Sequence, residues 1–525
     1  MEHCDVLVVG AGPTGLVAAA QLKARGVNVR LIDKAPCRLE QSRALVVQPR
    51  TLELLDKMGI ADALCEAGSR TIQTNIYADG KHVLAVPFGD LAKGRTPFPY
   101  VLFLSQVNTE RVLDAHLDDL GLEVERRVEL LRFEPDGDGV MCRLLRDGAE
   151  VGLRCNWLIG ADGAHSVVRK GLSLPFEGAA YRSDFVLGDV VLTDAGLPLD
   201  QLHVFLGRKG VVALFPLPGN LTRVMGTRVN DHDGPLSLEE LQETARQATR
   251  RPMVLSEPRW LARFHLHHRG VPRYRVGRCF VAGDAAHIHS PAGGQGMNTG
   301  MQDAYNLAWK LAMVVHGHAP ESLLDSYQAE RHPVGERLLQ FTDRAFSFGA
   351  TDNRWITGIR NRVLPLLAPS MAKMGAPPLA FNFVSQLGIR YRSSPVVAED
   401  LVGADSVFMA GPRAGDRAPG EDFLRTMDGT GWWLLGFVGG LEGAARRRWM
   451  TLLAACLIGR EDAQLLLVGE GVEGSDMALH ARYGLTGPGL YLVRPDGHIA
   501  FRSQGPRVAP LNLWWDAQGP VPQPE

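Results

Sequence analysis

Three glycines at fixed spacing carry the strongest chemical signal in this chain. Gly10, Gly12 and Gly15, in the segment Gly-Ala-Gly-Pro-Thr-Gly, follow the apolar run DVLVV and precede LVAAAQLKA. Gly10 allows a tight turn, Gly12 lets the backbone approach a pyrophosphate, and Gly15 lets a helix pack closely on a strand. Pro13 and Thr14 lie where that helix begins, and the free N–H groups and partial positive charge of the helix N-terminus face the phosphates. The run VNVRLID ends on Asp33, followed by Lys34, and Asp33 lies 18 residues after Gly15. An acid at that strand end can accept from a ribose hydroxyl. A glycine-rich turn with a chance acid is the bland alternative, and it is the weaker one because strand, helix and acid are all in place. The fingerprint reads as a dinucleotide site, for FAD or NAD(P)H.

Further segments narrow this. Gln41-Ser42-Arg43-Ala44 follows the second strand by a loop's length, and its arginine could offset phosphate charge; alone, Arg43 would read as a solvated side chain. Gly160-Ala161-Asp162-Gly163 and Gly283-Asp284-Ala285-Ala286-His287 each end an apolar strand. Asp284 could accept from a ribityl hydroxyl. The stretch after Pro291, Ala-Gly-Gly-Gln-Gly-Met-Asn-Thr-Gly, exposes N–H groups at a helix start, suited to a polar ring edge. A second GxGxxG, at 469–474, is rejected: Glu470 and Glu473 would set negative charges beside a negative pyrophosphate.

In order, GAGPTG, SRA, GADGAHSVVRK, YRVGRCFVAGDAAH and PAGGQGMNTG resemble the group A flavoprotein monooxygenases, the aromatic hydroxylases typified by p-hydroxybenzoate hydroxylase, over residues 6–310. The C-terminal part is similar to that of the phenol- and polyketide-hydroxylase branch. The resemblance implies an α/β fold: a Rossmann-type FAD-binding domain, an inserted antiparallel β-sheet for substrate, and a thioredoxin-like C-terminal domain. It implies that Gly10, Gly12, Pro13, Thr14, Gly15, Asp33 and Lys34 hold the ADP half of FAD, and that Arg43 meets the pyrophosphate. Gln106 would touch the flavin chain, Asp162 both cofactors, and Asp284 the ribityl. Pro291, Gly294, Gly296, Met297 and Asn298 would lie beside the isoalloxazine ring. Asp33 stands where a glutamate is commoner, which lengthens the ribose contact slightly. The implied reaction is NAD(P)H-driven hydroxylation of a small aromatic substrate with dioxygen, through a flavin C4a-hydroperoxide. Its rivals are oxygen insertion or epoxidation on a non-aromatic or quinonoid carbon, a flavin dehydrogenase, and a non-catalytic flavin-binding protein. The residues name no substrate-activating base.

The elements that must position these groups follow from the pattern. Strand, glycine turn, helix and strand fill about 30 residues, the size of a βαβ unit. Helices are expected at 51–58, 109–120, 300–316 and 322–348, and strands between 122 and 160. Runs such as DFVLGDVVL, HVFLG and VVALFPL, broken by Gly, Pro and Asp, predict antiparallel strands. The expected divisions are 1–174 and 276–350 for the FAD-binding domain, 175–275 for the sheet, 351–400 for a connection and 401–525 for a C-terminal α/β domain. Phe185, Phe205 and Phe215 fit either core or substrate surface. Trp432-Trp433 and Trp514-Trp515 read as core, and His265, His267 and His268 as packing or surface residues, not metal ligands.

Composition closes off other classes. Charges nearly balance, 56 basic against 58 acidic residues, which argues against nucleic acid or an anionic membrane as partner. No long uncharged apolar run or secretory signal is apparent. The seven cysteines form no CxxC pair, which excludes a zinc ribbon or thioredoxin-type redox motif and suits reduced thiols in the cytoplasm. A homodimer is left open.

Overall fold

The computed structural model describes residues 2–38, 44–208, 210–227, 234–290, 293–350, 357, 361–363, 376–427, 429–469 and 478–518. Glu2–Val9 lies at the heart of the first sheet, with Val6, Leu7 and Val8 fully buried. A strand covered on both faces reads as a continuous apolar run, not an alternation. It pairs in parallel with Val29–Asp33 on one side and Ala149–Gly160 on the other. Cys279–Val281 and Val124–Arg126 extend the parallel set outward. The glycine turn at 10–15, the GADG segment and the GDAA segment therefore leave the same, carboxyl edge of one sheet. That is where open α/β sheets bind ligands.

Two helices pack over this edge. Pro13–Lys23 is capped by Gly12 and has proline at its first turn, where a missing N–H costs nothing. Gly296–Val315 is buried continuously from 298 to 312, and polar residues such as Asn298, Asp303, Asn306 and Lys310 are buried along with its apolar ones. The helices expected at 51–58, 109–120 and 322–348 are Pro49–Asp56, Gln106–Asp119 and Asp325–Ala350.

The second sheet is the antiparallel one, built on Glu177–Thr193, Leu202–Leu206, Val211–Leu217, Leu221–Thr227 and Val254–Gly270. It also takes in Gln73–Ala78 and Lys81–Pro87, joined through a parallel pairing of the former with Leu202–Leu206. Their connection is Asp79-Gly80, both at positive φ, the chemistry of a two-residue hairpin. Alternate residues of the sheet face opposite ways. One face buries Val186, Val190, Phe205, Val212 and Val224 against the helix Leu238–Thr249. The other brings Phe215, Leu217 and Leu202 onto a cluster with Leu45, Val46 and Phe103. Phe205 is thus core, stacked on Tyr77, whereas Phe215 faces the nucleotide-fold side.

The C-terminal body is a five-stranded mixed sheet ordered Ala398–Asp400, Ile499–Gln504, Pro488–Val493, Trp432–Val438, Ala463–Val468. Trp432 and Trp515 pack on one side together with Trp309 of the long helix, and Trp433 on the other with Phe423. Gly469 follows the last of these strands, and the remainder of the rejected second GxGxxG lies outside the described residues. All seven cysteines are free thiols; Cys142 and Cys155 share a thiol–thiol hydrogen bond at 4.0 Å and no disulfide.

Buried ions fasten this body to the first. Glu330, fully buried, accepts from Arg494 at 2.6 and 2.9 Å, Lys310 at 2.8 Å, Asn306 at 2.7 Å and Ser394 at 2.6 Å. Glu53 accepts from Arg417 at 2.6 and 2.8 Å and from Arg50 at 3.0 Å. Burial alone would raise the Glu53 carboxyl, but the charges of Arg417 and Arg50 prevail and hold it at about 2, below its ordinary 4.5. A depressed carboxyl stabilises the fold above its unfolded value, and that stability is lost as pH falls through the folded one. Glu53→Gln should therefore lower the urea midpoint, followed by Trp fluorescence, at pH 7. The gap between parent and variant, roughly 3 kcal/mol on this shift, should close between pH 4.5 and 2. A gap independent of pH would refute the assignment.

Candidate functional site

The glycine turn is shaped by contacts that only glycine permits. Gly10 has φ +99°, and a Cβ there would lie 2.5 Å from the Ala161 carbonyl oxygen. A Cβ on Gly15 would lie 1.8 Å from the Gly10 carbonyl oxygen, so helix and strand touch backbone to backbone. Gly12 faces open space, with nothing within 4 Å of its Cβ position. The helix starting at Pro13 has no side-chain cap. Its end is a clear, positively polarised cradle for a phosphate. At the neighbouring strand end, Asp33 Oδ2 accepts from the Ala11 N–H at 2.7 Å and Oδ1 from the Ala35 N–H at 2.8 Å, with Arg126 3.9 Å away. Each oxygen has lone-pair capacity left. Lys34 beside it is exposed.

The GDAA segment meets this turn through Thr14. Gly283, at φ +58°, would place a Cβ 2.5 Å from Thr14 Oγ1, and one on Gly300 would lie 2.4 Å from the same oxygen and 3.0 Å from Gly283 Cα. Three segments far apart in sequence thus converge on one hydroxyl. Asp284 is the exposed residue of this otherwise buried turn. Behind it, fully buried Asp303 accepts from the Gly283 N–H at 3.2 Å, His287 at 2.8 Å and Arg331 at 2.7 Å. Burial would raise the Asp303 carboxyl, but Arg331 and His287 hold it below its ordinary value. Arg331 also donates to the Thr299 carbonyl, tying the turn to the first turn of the long helix.

That first turn carries Gly296, Met297 and Asn298, whose N–H groups have no partner within the helix. The Asn298 side chain is wholly spent inside the protein: it accepts from the Gln48 N–H at 2.8 Å and donates to the carbonyls of Val46 at 2.7 Å and Gly294 at 2.8 Å. The Asn298 side chain therefore holds the loop, and its N–H is the group left open toward the helix start. A buried primary amide must satisfy itself locally, and here the loop meets that demand. Around the same loop Gln48 Oε1, His289 Nε2, Ser290 Oγ and Gln295 Oε1 are buried without partners. Burial, with the charge of His287, lowers His289 to about 4, so its ring is neutral at pH 7. Unpaired donors and acceptors, a helix N-terminus and an open phosphate cradle fit the polar edge and pyrophosphate of FAD.

Asp162 lies at the adjoining strand end, accepting from the N–H groups of Val167 at 2.7 Å and Val168 at 3.2 Å, with Oδ1 buried and unpaired. Burial raises its carboxyl, against hydrogen bonds from Ser166 and those amides. Gln106 opens its helix, its N–H on the Ala44 carbonyl at 3.1 Å, which places it next to the SRA segment. Arg43 and Pro291, like the side chain of His265, lie outside the described residues. Among the described residues no group of three or more His, Cys, Asp or Glu could hold a metal ion, and no helix is long and apolar enough to cross a membrane.

Residues 3–342 match the family described as FAD binding domain, so the chain belongs to that flavoprotein family. Within it, the chain is 39% identical over 522 residues to 6-methylpretetramide 4-monooxygenase of Streptomyces rimosus, covering 95% of this chain and 91% of the relative. It is 35% identical to pentachlorophenol 4-monooxygenase of Sphingobium chlorophenolicum, covering 79% and 75%. A solved ternary complex of aklavinone-11 hydroxylase with FAD and aklavinone superposes with a TM-score of 0.78 at 26% identity, covering 98% and 99%. The chain is a FAD-dependent monooxygenase of the aromatic-hydroxylase class.

Sequence reasoning missed Thr14 as a hub, and with it Asp303 and Arg331. A signal existed: Gly296, Gly300 and Asp303 recur at helical spacing, one face of one helix. Gly300→Ala should push Thr14 off Gly283 and lower flavin content per protein in purified material, read as the ratio of 450 to 280 nm absorbance. Adding Thr14→Ala should restore part of it. Full flavin content in Gly300→Ala alone would show that the contact does not shape the site.

Proposed function

We propose that the chain hydroxylates a polycyclic, phenolic, polyketide-like substrate lying between the antiparallel sheet and the 293–298 loop. One observation carries this: the inward sheet face and that loop flank one apolar cluster, which each of them touches. Phe215 stands edge-on to Phe103 at 5.6 Å, and a Cβ on Gly294 would lie 2.6 Å from Val46 of the same cluster. Leu187, Met225 and Ala213 continue the face, and Phe185 packs on Phe264 at 5.9 Å. Such a wall suits flat fused rings and keeps water away from the reacting carbon. Relatives matching over nearly the full length are named for pretetramide and anhydrotetracycline, which supports a polycyclic substrate over a single ring.

The cofactor roles belong to the same reading. The amides after Gly12 receive the pyrophosphate, the Asp33 carboxylate a ribose hydroxyl and Asp284 the ribityl chain. The first-turn amides of the long helix receive the ring edge. Arg43, Gln106, Asp162 and the loop from Pro291 to Met297 complete it. Bound FAD, reduced by NAD(P)H, supplies the activation of dioxygen and the single oxygen atom that enters the ring. The Rossmann-type assignment of the first sheet rests on its parallel order and glycine turn. The thioredoxin-like assignment of the C-terminal body rests on its mixed five-stranded sheet flanked by helices. The divisions at 174, 275, 350 and 400 belong to this reading, with two adjustments: residues 73–87 are lent to the second sheet, and Ala398–Asp400 pairs into the C-terminal one. Free thiols throughout support a cytoplasmic setting.

NAD(P)H oxidation by the purified protein should be slow alone and accelerate on adding a fused-ring phenol. Under labelled dioxygen the product should gain one labelled oxygen atom, and poor substrates should yield hydrogen peroxide. Product formed at full rate without oxygen, using another electron acceptor, would sink the proposal.

A further inference from the structure

The inward face of the antiparallel sheet carries one charged pair. Arg223 and Asp189 stand opposite each other on neighbouring strands. They join through two hydrogen bonds, Nε to Oδ1 at 2.6 Å and Nη2 to Oδ2 at 2.8 Å. The Arg223 side chain is 2% exposed, yet its third nitrogen, Nη1, is buried and donates to nothing. Buried donors are nearly always paired, so an orphaned guanidinium nitrogen marks a place where a partner is missing.

Register fixes where that nitrogen's neighbours lie. Phe215 stands directly opposite Arg223 on the other flanking strand, and so shares its face. Phe215 meets Phe103, which shares a cluster with Val46, and Val46 abuts Gly294 of the loop beside the cofactor site. On the far side Trp260 stands opposite Asp189, its ring centroid 5.5 Å from the Arg223 guanidinium carbon. Leu187 and Met225 face each other on the same side. The described residues around this donor are aromatic and aliphatic.

We propose that Arg223 is a specificity-determining residue whose Nη1 receives a carbonyl or phenol oxygen of the substrate, with Asp189 holding the guanidinium in position. The proposal rests on the aromatic-hydroxylase reading and adds the feature that the substrate must present. Asp189 neutralises the pair, so it selects an accepting oxygen on a flat ring system and does not demand a net negative charge. The fork held at two nitrogens aims the third, which a flexible ammonium could not do. A ring lacking that oxygen leaves the donor buried and unpaired, and discrimination arises from that penalty.

The test uses the FAD-loaded protein and three probes: 2-acetyl-1-naphthol, 1-naphthol and naphthalene, with two, one and no oxygens. Binding is followed by the perturbation of the flavin's visible absorption. The unmodified protein should prefer the probes in that order. The double variant Asp189→Asn/Arg223→Gln removes both charges together and so leaves no lone buried carboxylate. It should bind 2-acetyl-1-naphthol roughly ten- to a hundredfold more weakly, with naphthalene unchanged. Arg223→Lys, which keeps a cation against Asp189 but loses the fork, should show the same loss with flavin content and thermal midpoint preserved. Equal affinity of the unmodified protein for naphthalene and 1-naphthol overturns the proposal without any variant. Equal probe ranking in parent and variants also overturns it, while leaving the aromatic-hydroxylase reading intact. Binding of none of the three, with no stimulation of NAD(P)H oxidation, counts against that reading itself.

Discussion

Thr14 sits where Gly283 and Gly300 leave no room for a side chain of their own, and the site's geometry depends on that contact. The hydroxyl occupies the space that a Cβ on either glycine would need. It therefore sets the distance between the phosphate cradle at 10–15 and the turn carrying Asp284. The first-turn amides of the long helix are fixed by the same contact. A cofactor with phosphates at one end and a ring at the other needs those three groups at constant separation. Packed backbone supplies that more rigidly than flexible side chains would.

The same logic explains the charges buried behind the site. Asp303 and Arg331 touch no open surface, yet between them they hold the Gly283 amide and the Thr299 carbonyl. Arg331 also donates to the Tyr391 hydroxyl at 2.9 Å, and Tyr391 packs on His498 of the C-terminal body at 4.2 Å. Glu330, the neighbour of Arg331 in sequence, carries the ion cluster that binds Arg494. A buried ion pair adds little net stability over an apolar pair of equal size, but breaking one partner is costly. Its use here is to specify one docking of the C-terminal body against the helix Gly296–Val315.

Much of this was legible in the sequence, and the boundary is physical. The glycine turn, Asp33, Asp162 and Asp284 could be read because backbone geometry imposes residue types at short range, and the structure gathers them at one sheet edge. The central strand could be read because burial on both faces leaves an unbroken apolar run. The hairpin at 73–87 was not assigned to the second sheet, since its partner strand lies more than a hundred residues away and nothing local encodes that pairing. Asn298 was read as a cofactor ligand from its place in a motif. Its side-chain bonds go to Gln48, Val46 and Gly294, contacts that only the folded loop creates.

The substrate side shows the same limit in sharper form. Phe205 and Phe215 are alike in sequence, each an aromatic within a strand, and only register separates them. Phe205 lies opposite Val212, on the face covered by a helix; Phe215 lies opposite Arg223, on the face turned to the cofactor loop. A shift of one residue in any of these strands would exchange the two roles. The pocket is therefore specified by strand pairing, whereas the cofactor cradle is specified by short motifs. That division rests, on the cradle side, on the contacts under 3 Å that a Cβ at Gly10, Gly15, Gly283 or Gly300 would make. It also places the information about substrate identity in residues such as Asp189 and Arg223, whose meaning appears only once the strands are paired.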